Sequence, residues 1–160
     1  IVKEYGNEFT VATVGTIKVT PHSVNVIPGT CTFSLEIRDQ SAEVMKLIEN
    51  HLRQLLEDIC KKYGVTSTFV PTSYHDPAPM SELVRGTIEE AVKELGIDYT
   101  VIPSGAFHDS LIMTSVFPTG MIFVPSKDGI SHSRYEYTAP EDIENGCNVL
   151  LNTVLKLDEK

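Results

Sequence analysis

The sequence has few basic residues: its 160 positions hold 13 Lys and Arg against 22 Asp and Glu, a formal net charge of -9. Proteins that track nucleic-acid phosphates carry a basic stripe, so this balance argues against nucleic acid as a partner. No apolar run approaches the roughly 20 residues that span a bilayer, and the opening IVKEYGNEF lacks the apolar region of a signal peptide. We expect a soluble, cytoplasmic protein with no membrane partner.

Cysteine is also sparse. Cys31, Cys60 and Cys147 are odd in number, widely spaced and set among apolar residues, so neither a disulfide framework nor a CxxC metal clamp is predicted. We expect buried free thiols. The chain also lacks GxSxG, P-loop and HExxH motifs, which removes several common enzyme classes. The opening residues resemble the middle of a helix and contain neither a cap nor a starting Met, which predicts a fragment or a processed product.

Two alternating, β-branched segments stand out in the first half, TVATVGTIKVT at 10–20 and TCTFSLEIR at 30–38. Both are predicted to be strands of a sheet with one buried face. On the second strand the apolar face holds Cys31, Phe33, Leu35 and Ile37, and the polar face holds Thr32, Ser34, Glu36 and Arg38. Because side chains alternate along a strand, we expect Arg38 to point away from the core.

A long amphipathic helix is predicted next, from Ser41 to Tyr63, where apolar residues recur at helical spacing before the glycine stop at Gly64. TSTFV at 66–70 is predicted to be a strand. The proline-rich stretch PTSYHDPAP then indicates a boundary between two units, which we place near residue 78.

The second half alternates helix and apolar strand. Ser81 is expected to cap a helix that runs to Leu95, and YTVIP and GMIFVP are predicted to be strands, the latter buried on both faces. A capping box from Thr138 to Glu141, with Pro140 in the first turn, predicts the start of the last helix. The fold class predicted for the chain is α/β, with an α+β first half and an alternating second half.

Four places in the chain could carry chemistry, and each has a structural alternative. His132 follows an apolar strand, where α/β sheets present ligands, or it is a hydrogen-bonded loop residue. His108 and Asp109 form an orienting dyad, or Asp109 caps the next helix. Asn25 suits a turn that satisfies its own backbone, and Arg38 suits a solvated charge. Taken singly, none of these residues decides a function.

Three blocks taken together carry a resemblance: TVGTIKVTPHSVNVIPGTCTFSLEIRD, PSGAFHDS and PTGMIFVPSKDGISHSRYEYT. In order and spacing they resemble the C-terminal part of the metal-dependent amidohydrolases of the zinc peptidase superfamily. That family includes the N-carbamoyl-L-amino acid hydrolases, allantoate amidohydrolases and β-ureidopropionases. The resemblance implies that residues 1–78 are part of a lid, or dimerisation, domain of sheet and helix. Residues 79–160 would be the C-terminal part of the catalytic domain.

The resemblance also implies roles for individual residues. His132 aligns with a metal ligand, whereas Asn25 and Arg38 align with lid residues that hold the substrate. Phe107 and His108 lie in a loop beside the site, and Phe107 stands where the family pattern has Gly, so we expect its ring to crowd that loop. A guanidinium fork suits the carboxylate of an N-carbamoyl amino acid, and a neutral imidazole suits zinc or manganese.

The remaining metal ligands and the general base of the family have no counterpart in this sequence. A catalytic zinc needs about three protein ligands, so we expect no catalytic residue here, no stoichiometric metal in the isolated chain and no hydrolysis by it. The complete enzyme is expected to use two divalent metals, a homodimer formed through the lid, an N-terminal catalytic half and a small ureido acid. Two alternatives stay open: a non-catalytic dimerisation module, and a related peptidase or acyl-amino-acid hydrolase.

Overall fold

A computed structural model describes residues 1–159 of the chain and confirms a mixed α/β fold. The chain divides into two units, Ile1–Pro77 and Ala78–Lys160. Hydrogen-bonded strands lie in the first unit, and the second unit is held by helices. The assignment of the two units as lid and catalytic domain stays a prediction.

The first unit combines helices with two small antiparallel sheets. Its elements are α1 (Val2–Tyr5), β1 (Val11–Thr13), β2 (Ile17–Thr20), β3 (Thr30–Phe33), β4 (Glu36–Arg38) and α2 (Ala42–Tyr63). Strand β1 pairs with β4, with Val11 opposite Arg38, and β2 pairs with β3, with Ile17 opposite Phe33. The residues between β2 and β3 form a wide loop.

Each of the two predicted strands is in fact two strands with a short break, which corrects the sequence-based prediction. At the breaks Thr16 and Ser34 bond to each other: Ser34 N–H donates to Thr16 O at 3.1 Å, and Thr16 N–H donates to Ser34 Oγ at 3.0 Å. A serine hydroxyl that bonds backbone in this way offers an alternative to the regular ladder. The break therefore lies where the side chain competes with the strand pairing.

The face of β3 that was predicted to be buried is exposed. Phe33 is 50% exposed. Cys31 and Cys147 are also exposed, and Cys60 is half-buried, so the expectation of buried thiols is wrong for two of the three cysteines. On β4 the alternation holds, since Glu36 and Arg38 are exposed on either side of the half-buried Ile37.

Helix α2 begins and ends where the sequence predicts. Ser41 Oγ accepts a hydrogen bond from Val44 N–H, and Gly64 ends the helix in the left-handed conformation at φ 66°. Glycine suits that conformation because it has no Cβ. Ile48 is fully buried, and the rings of Tyr5 and His51 stack with centroids 3.8 Å apart, which joins α1 to α2.

The second unit is built on two helices that pack against each other. Its elements are α3 (Glu82–Glu94), α4 (Asp109–Met113), a 3-10 turn (Lys127–Gly129) and α5 (Pro140–Asp158). The buried residues of α3 and α5 are Thr87, Ala91, Val92, Val149 and Thr153. Ser81 caps α3 through a bond from Val84 N–H, as predicted. Helix α5 begins one residue later than predicted. Its N-cap is Ala139, which makes no side-chain hydrogen bond, and the predicted capping box that starts at Thr138 is not formed.

The segments 66–70, 99–103 and 120–125 were predicted to be strands, yet within residues 1–159 they join no hydrogen-bonded ladder. A strand is stable only with a neighbour to pair with. The segment from Gly120 to Val124 instead packs on helices: a Cβ on Gly120 would lie 2.6 Å from Val84 Cγ1, and one on Gly146 would lie 2.5 Å from Val124 Cγ1. The two glycines thus allow this segment to approach α3 and α5.

Helix α5 leaves part of its apolar surface uncovered. A groove of about 460 Å³ lies between α3, residues 120–124 and α5. Its apolar lining includes Ile88, Ile122, Ile143, Leu150, Val154 and Leu157. Among the helices of residues 1–159, none combines the length and apolar character that a bilayer crossing requires.

Candidate functional site

His132 lies in a loop of the second unit whose two ends are tied together. Lys127 N–H donates to Tyr137 O at 2.8 Å, which closes the loop at its base. Within it, Ser126 Oγ donates to Ile130 O at 2.5 Å. The chain reverses at the 3-10 turn, where Asp128 has φ 56° and Gly129 has φ 67°. We call residues 126–137 the histidine loop.

His132 itself has a left-handed backbone, with φ 54°, and its side chain is exposed. Non-glycine residues adopt this conformation rarely, because Cβ crowds the backbone. A carboxylate offsets this cost here: His132 N–H donates to Glu136 Oε2 at 2.8 Å. An uncommon backbone conformation that surrounding bonds hold in place is typical of functional sites.

An exposed imidazole of this kind can contribute one ligand to a metal ion. The rest of a metal centre is not formed by this part of the chain, since residues 1–159 contain no group of three or more His, Cys, Asp or Glu side chains that could hold a metal. A catalytic zinc takes about three protein ligands. His132 therefore fits as one ligand among several.

His108 is the N-cap of α4, which corrects the prediction that Asp109 caps this helix or orients the imidazole. His108 Nδ1 accepts a hydrogen bond from Ser110 N–H at 3.2 Å and lies 3.0 Å from Ser110 Oγ, and Asp109 is the first helical residue. Because Nδ1 accepts, the proton of the neutral ring is on Nε2. His108 can therefore donate a hydrogen bond through Nε2. Phe107, its neighbour, is 57% exposed.

Arg38 lies at the end of β4 in the first unit, where its guanidinium already binds a carboxylate. Arg38 Nη2 donates to Glu36 Oε1 at 2.8 Å, and both side chains are solvent-accessible. Residues i and i+2 of a strand share a face, so this pair was implicit in the alternation of the sequence. Asn25 lies in the exposed loop between β2 and β3, where its Oδ1 accepts from Ser23 Oγ at 2.8 Å.

Asp39 fixes the chain directly after Arg38. Its carboxylate accepts from Asn7 Nδ2 at 3.3 Å, from Ser41 N–H at 2.8 Å, and from the hydroxyl of Thr10. Partial burial alone would raise the pKa of Asp39, but the hydrogen bonds from Thr10, Ser41, Asn7 and the backbone outweigh it and lower that pKa. Asp39 thereby ties the entry to β1 to the end of β4.

The predicted residues thus occupy separate places. Phe107 and His108 are neighbours at the start of α4, and His132 lies in the histidine loop. In the first unit, Asn25 lies in the loop between β2 and β3, and Arg38 lies at the end of β4, which belongs to the other sheet. Sequence reasoning missed the carboxylates that support these residues, Glu36, Asp39 and Glu136. The i, i+2 spacing from Arg38 could have revealed Glu36, and the position of Asp39 just before the helix cap Ser41 could have revealed Asp39. No sequence signal indicates the turn that Glu136 stabilises.

The fold of the chain matches that of a solved crystal structure. The crystal structure of AtUAH in complex with (S)-hydroxyglycine superposes with a TM-score of 0.90 at 34% identity, covering 99% of this chain and 38% of that one. The chain therefore has the mixed α/β fold of part of a larger ligand-binding protein. Residues 6–156 match the model of peptidase family M20/M25/M40. The chain belongs to this family.

Two curated relatives agree with this assignment. An N-carbamoyl-L-amino acid amidohydrolase from Geobacillus stearothermophilus is 40% identical over 148 residues, which are 92% of this chain and 36% of that protein. An allantoate amidohydrolase from Bacillus subtilis is 34% identical over 145 residues, which are 91% of this chain and 35% of that protein. The chain spans about a third of the length of the curated relatives it matches. Both relatives are named as amidohydrolases, and the resemblance to this group is confirmed.

Proposed function

We propose that this chain is the C-terminal portion of a binuclear-metal amidohydrolase that cleaves linear C–N bonds of N-carbamoyl amino acids or related ureido acids. The observation that carries the proposal is Arg38, an exposed guanidinium at the end of β4 that already holds a carboxylate at 2.8 Å. Its planar fork of N–H donors matches a carboxylate in shape and charge. The relatives that support this substrate class are 40% and 34% identical to the chain.

Within this proposal Arg38 binds the carboxylate of the substrate. Asn25 lies in an exposed loop and carries an amide, which can donate to or accept from the ureido group. His108 donates from Nε2, since Ser110 occupies its Nδ1. Phe107 presents an exposed ring beside His108 and restricts which ureido acids fit.

His132 is proposed as one ligand of a pair of divalent metals, zinc or manganese. Such metals, when bound, polarise the substrate carbonyl and provide a hydroxide near neutral pH. The contribution of this chain is to present one imidazole from a loop closed at its base by the bond from Lys127 to Tyr137. The isolated chain is expected neither to hold two metals nor to turn over substrate.

The proposal also assigns partners to the two units. Residues 1–78 would be part of a lid that forms a homodimer, and residues 79–160 would pack on an N-terminal catalytic half that supplies the missing ligands. The uncovered groove between α3 and α5 supports the second assignment, because Leu150 and Val154 are 56% and 53% exposed there. Contiguous exposed apolar side chains commonly mark a contact with other polypeptide.

A second candidate is a non-catalytic dimerisation module. It is favoured by the loop between β2 and β3, where Val24 is fully exposed and Ile27 is 91% exposed. Two aliphatic side chains so fully exposed beside Asn25 suit a protein contact as well as a substrate. This candidate assigns no role to the imidazole of His132.

A chimera tests the proposal. This chain would replace the matching 36% of the Geobacillus stearothermophilus enzyme, and both metal content and hydrolysis of N-carbamoyl amino acids would be measured. We expect metal binding and turnover in the chimera, and His132→Ala should lower both. The dimerisation module predicts that His132→Ala changes neither. Turnover by the isolated 160-residue chain would contradict the proposal that it is only a portion of the enzyme.

A further inference from the structure

We propose that Glu136 is a positioning residue for His132: its carboxylate holds the backbone of His132 in the left-handed conformation and so sets the direction of the imidazole. The inference rests on the proposed role of His132 as a metal ligand. It adds Glu136 as a residue that acts through His132 and need not itself touch metal or substrate.

The first step is the conformation of His132. At φ 54° its Cβ points in a direction that the ordinary right-handed or extended conformations do not give. The left-handed conformation is unfavourable for a residue with a side chain, and only the bonds around it make it persist. The direction of the imidazole therefore depends on whatever holds this one φ angle.

The second step is the bond that holds it. His132 N–H donates to Glu136 Oε2 at 2.8 Å, and a bond to an ionised acceptor is stronger than one between neutral groups. The turn between the two residues aims the carboxylate: Glu136 N–H donates to Ser133 O at 3.0 Å, and Tyr135 N–H donates to Ser133 Oγ at 3.3 Å. The side chain of Glu136 thus reaches back over four residues to the backbone of His132.

The third step is that Glu136 is itself anchored. The next residue, Tyr137, accepts the bond from Lys127 N–H that closes the base of the histidine loop. Glu136 therefore stands at the base of the loop while its carboxylate bonds the tip. It connects the fixed part of the loop to the residue that has to be held.

Two roles for this carboxylate make different predictions. If Glu136 positions His132, then Gln can replace it, because the amide oxygen accepts the same bond from His132 N–H. If Glu136 is itself a metal ligand, then Gln should weaken metal binding as much as Ala, because a neutral amide is a poor substitute for a carboxylate in holding a divalent cation. The conservative variant therefore separates positioning from ligation.

The experiment uses NMR on the isotope-labelled chain and on Glu136→Gln, Glu136→Ala and the control Glu57→Ala, an exposed position on α2. A strong contact between the Hα and the amide proton of His132 marks the left-handed conformation. We expect this contact, and slow exchange of the His132 amide, in the unsubstituted chain, in the Gln variant and in the control. In Glu136→Ala the contact should be lost and exchange should accelerate about tenfold or more, with the signals of α5 unchanged.

Line broadening of the His132 ring by Mn²⁺ provides a second measurement. We expect equal broadening in the unsubstituted chain and in Glu136→Gln, and less in Glu136→Ala. If Glu136→Ala keeps the left-handed contact and slow exchange, the positioning role is wrong. Loss of broadening in Glu136→Gln with the contact retained would also overturn it, in favour of ligation. If no variant shows broadening while the backbone results hold, the positioning role stands, and the metal role of His132 is decided by metal content of the chimera and of its His132→Ala variant, because the isolated chain is expected to hold no stoichiometric metal.

Discussion

At the scale of single residues, the candidate substrate-binding residue Arg38 already forms an ion pair with Glu36 of the same strand. Glu36 Oε1 and Arg38 Nη2 are 2.8 Å apart on one face of β4. Exposed pairs of this kind contribute about 0.2–1 kcal/mol to stability, so the fold hardly depends on the contact. An incoming carboxylate, however, must compete with Glu36 for the guanidinium and also meets its negative charge. If Arg38 binds the substrate as proposed, we expect Glu36 to affect substrate affinity more than stability.

We predict that Glu36→Gln in the chimera lowers KM for an N-carbamoyl amino acid about twofold to fivefold, the range that an exposed ion pair allows. The value of kcat should not change, because the competition affects only binding. Arg38→Lys should raise KM, since an ammonium lacks the fork. Glu144→Gln, which alters net charge equally on exposed α5, serves as the control. A higher KM in Glu36→Gln would mean that Glu36 orients Arg38 and does not compete.

His108 combines two functions that substitution can separate. It caps α4 through Nδ1 and is proposed to contact substrate through Nε2. We predict that His108→Asn keeps the free energy of unfolding, because Asn is among the best N-caps, whereas His108→Ala lowers it by about 1 kcal/mol. Urea unfolding of the isolated chain measures this difference. In the chimera both variants should lose substrate affinity, and retained affinity in His108→Asn would leave His108 with the cap alone.

At the scale of elements, the long helices could be predicted from the sequence, whereas three of the five predicted strand segments join no hydrogen-bonded ladder within residues 1–159. Helix α2 is specified locally, by its apolar spacing, by Ser41 at its start and by Gly64 at its end. The sequence of a segment such as 120–125 shows only that it is apolar. Whether it forms a strand depends on a neighbouring strand to pair with, which the segment itself does not specify. The same reason applies to the candidate site. The resemblance pointed to His132, but the bond from His132 N–H to Glu136 depends on a turn that contains no Gly or Asn to signal it.

Two glycines in helices provide a matched test of how the second unit packs. Helix propensity alone favours Ala over Gly by about 0.5–1 kcal/mol. At Gly86 in α3 a Cβ meets nothing within 4 Å, so Gly86→Ala should raise the free energy of unfolding by about that amount. At Gly146 in α5 the Cβ would lie 2.5 Å from Val124 Cγ1, a stiff β-branched side chain. Overpacking costs about 1–3 kcal/mol, so Gly146→Ala should be destabilising.

Urea unfolding of the two variants beside the unsubstituted chain is the measurement. Both changes add one methyl group to a helix interior, so they differ only in what the new atom meets. Equal stabilisation by the two substitutions would show that residues 120–124 do not pack against α5 as closely as the distance to Val124 implies.

At the scale of the whole molecule, ionised groups join elements that are distant in sequence in both units. In the second unit Lys156 Nζ bonds Glu94 Oε1 at 2.6 Å, and this bond raises the pKa of Lys156. Stability from a raised pKa is present below the unfolded value and is lost as pH rises through the folded value. In the first unit the pKa of Asp39 is lowered, so the stability that Asp39 contributes is present at higher pH and is lost as pH falls.

The lowered pKa of Asp39 predicts how the first unit responds to acid. The carboxylate ties Asn7 and Thr10, before β1, to the start of α2 at Ser41. Its stabilisation is fully present above the unfolded pKa of about 3.9, and it is lost as pH falls through the still lower folded value. Asp39→Asn should therefore be less stable than the unsubstituted chain at neutral pH, and the difference should shrink in acid. Urea unfolding from pH ~7 to ~2 measures it, with exposed Asp98→Asn as the control. Because Asn cannot titrate, a difference that stays constant across this range would mean that hydrogen-bond geometry, and not the charge of Asp39, holds β1 and β4 to α2.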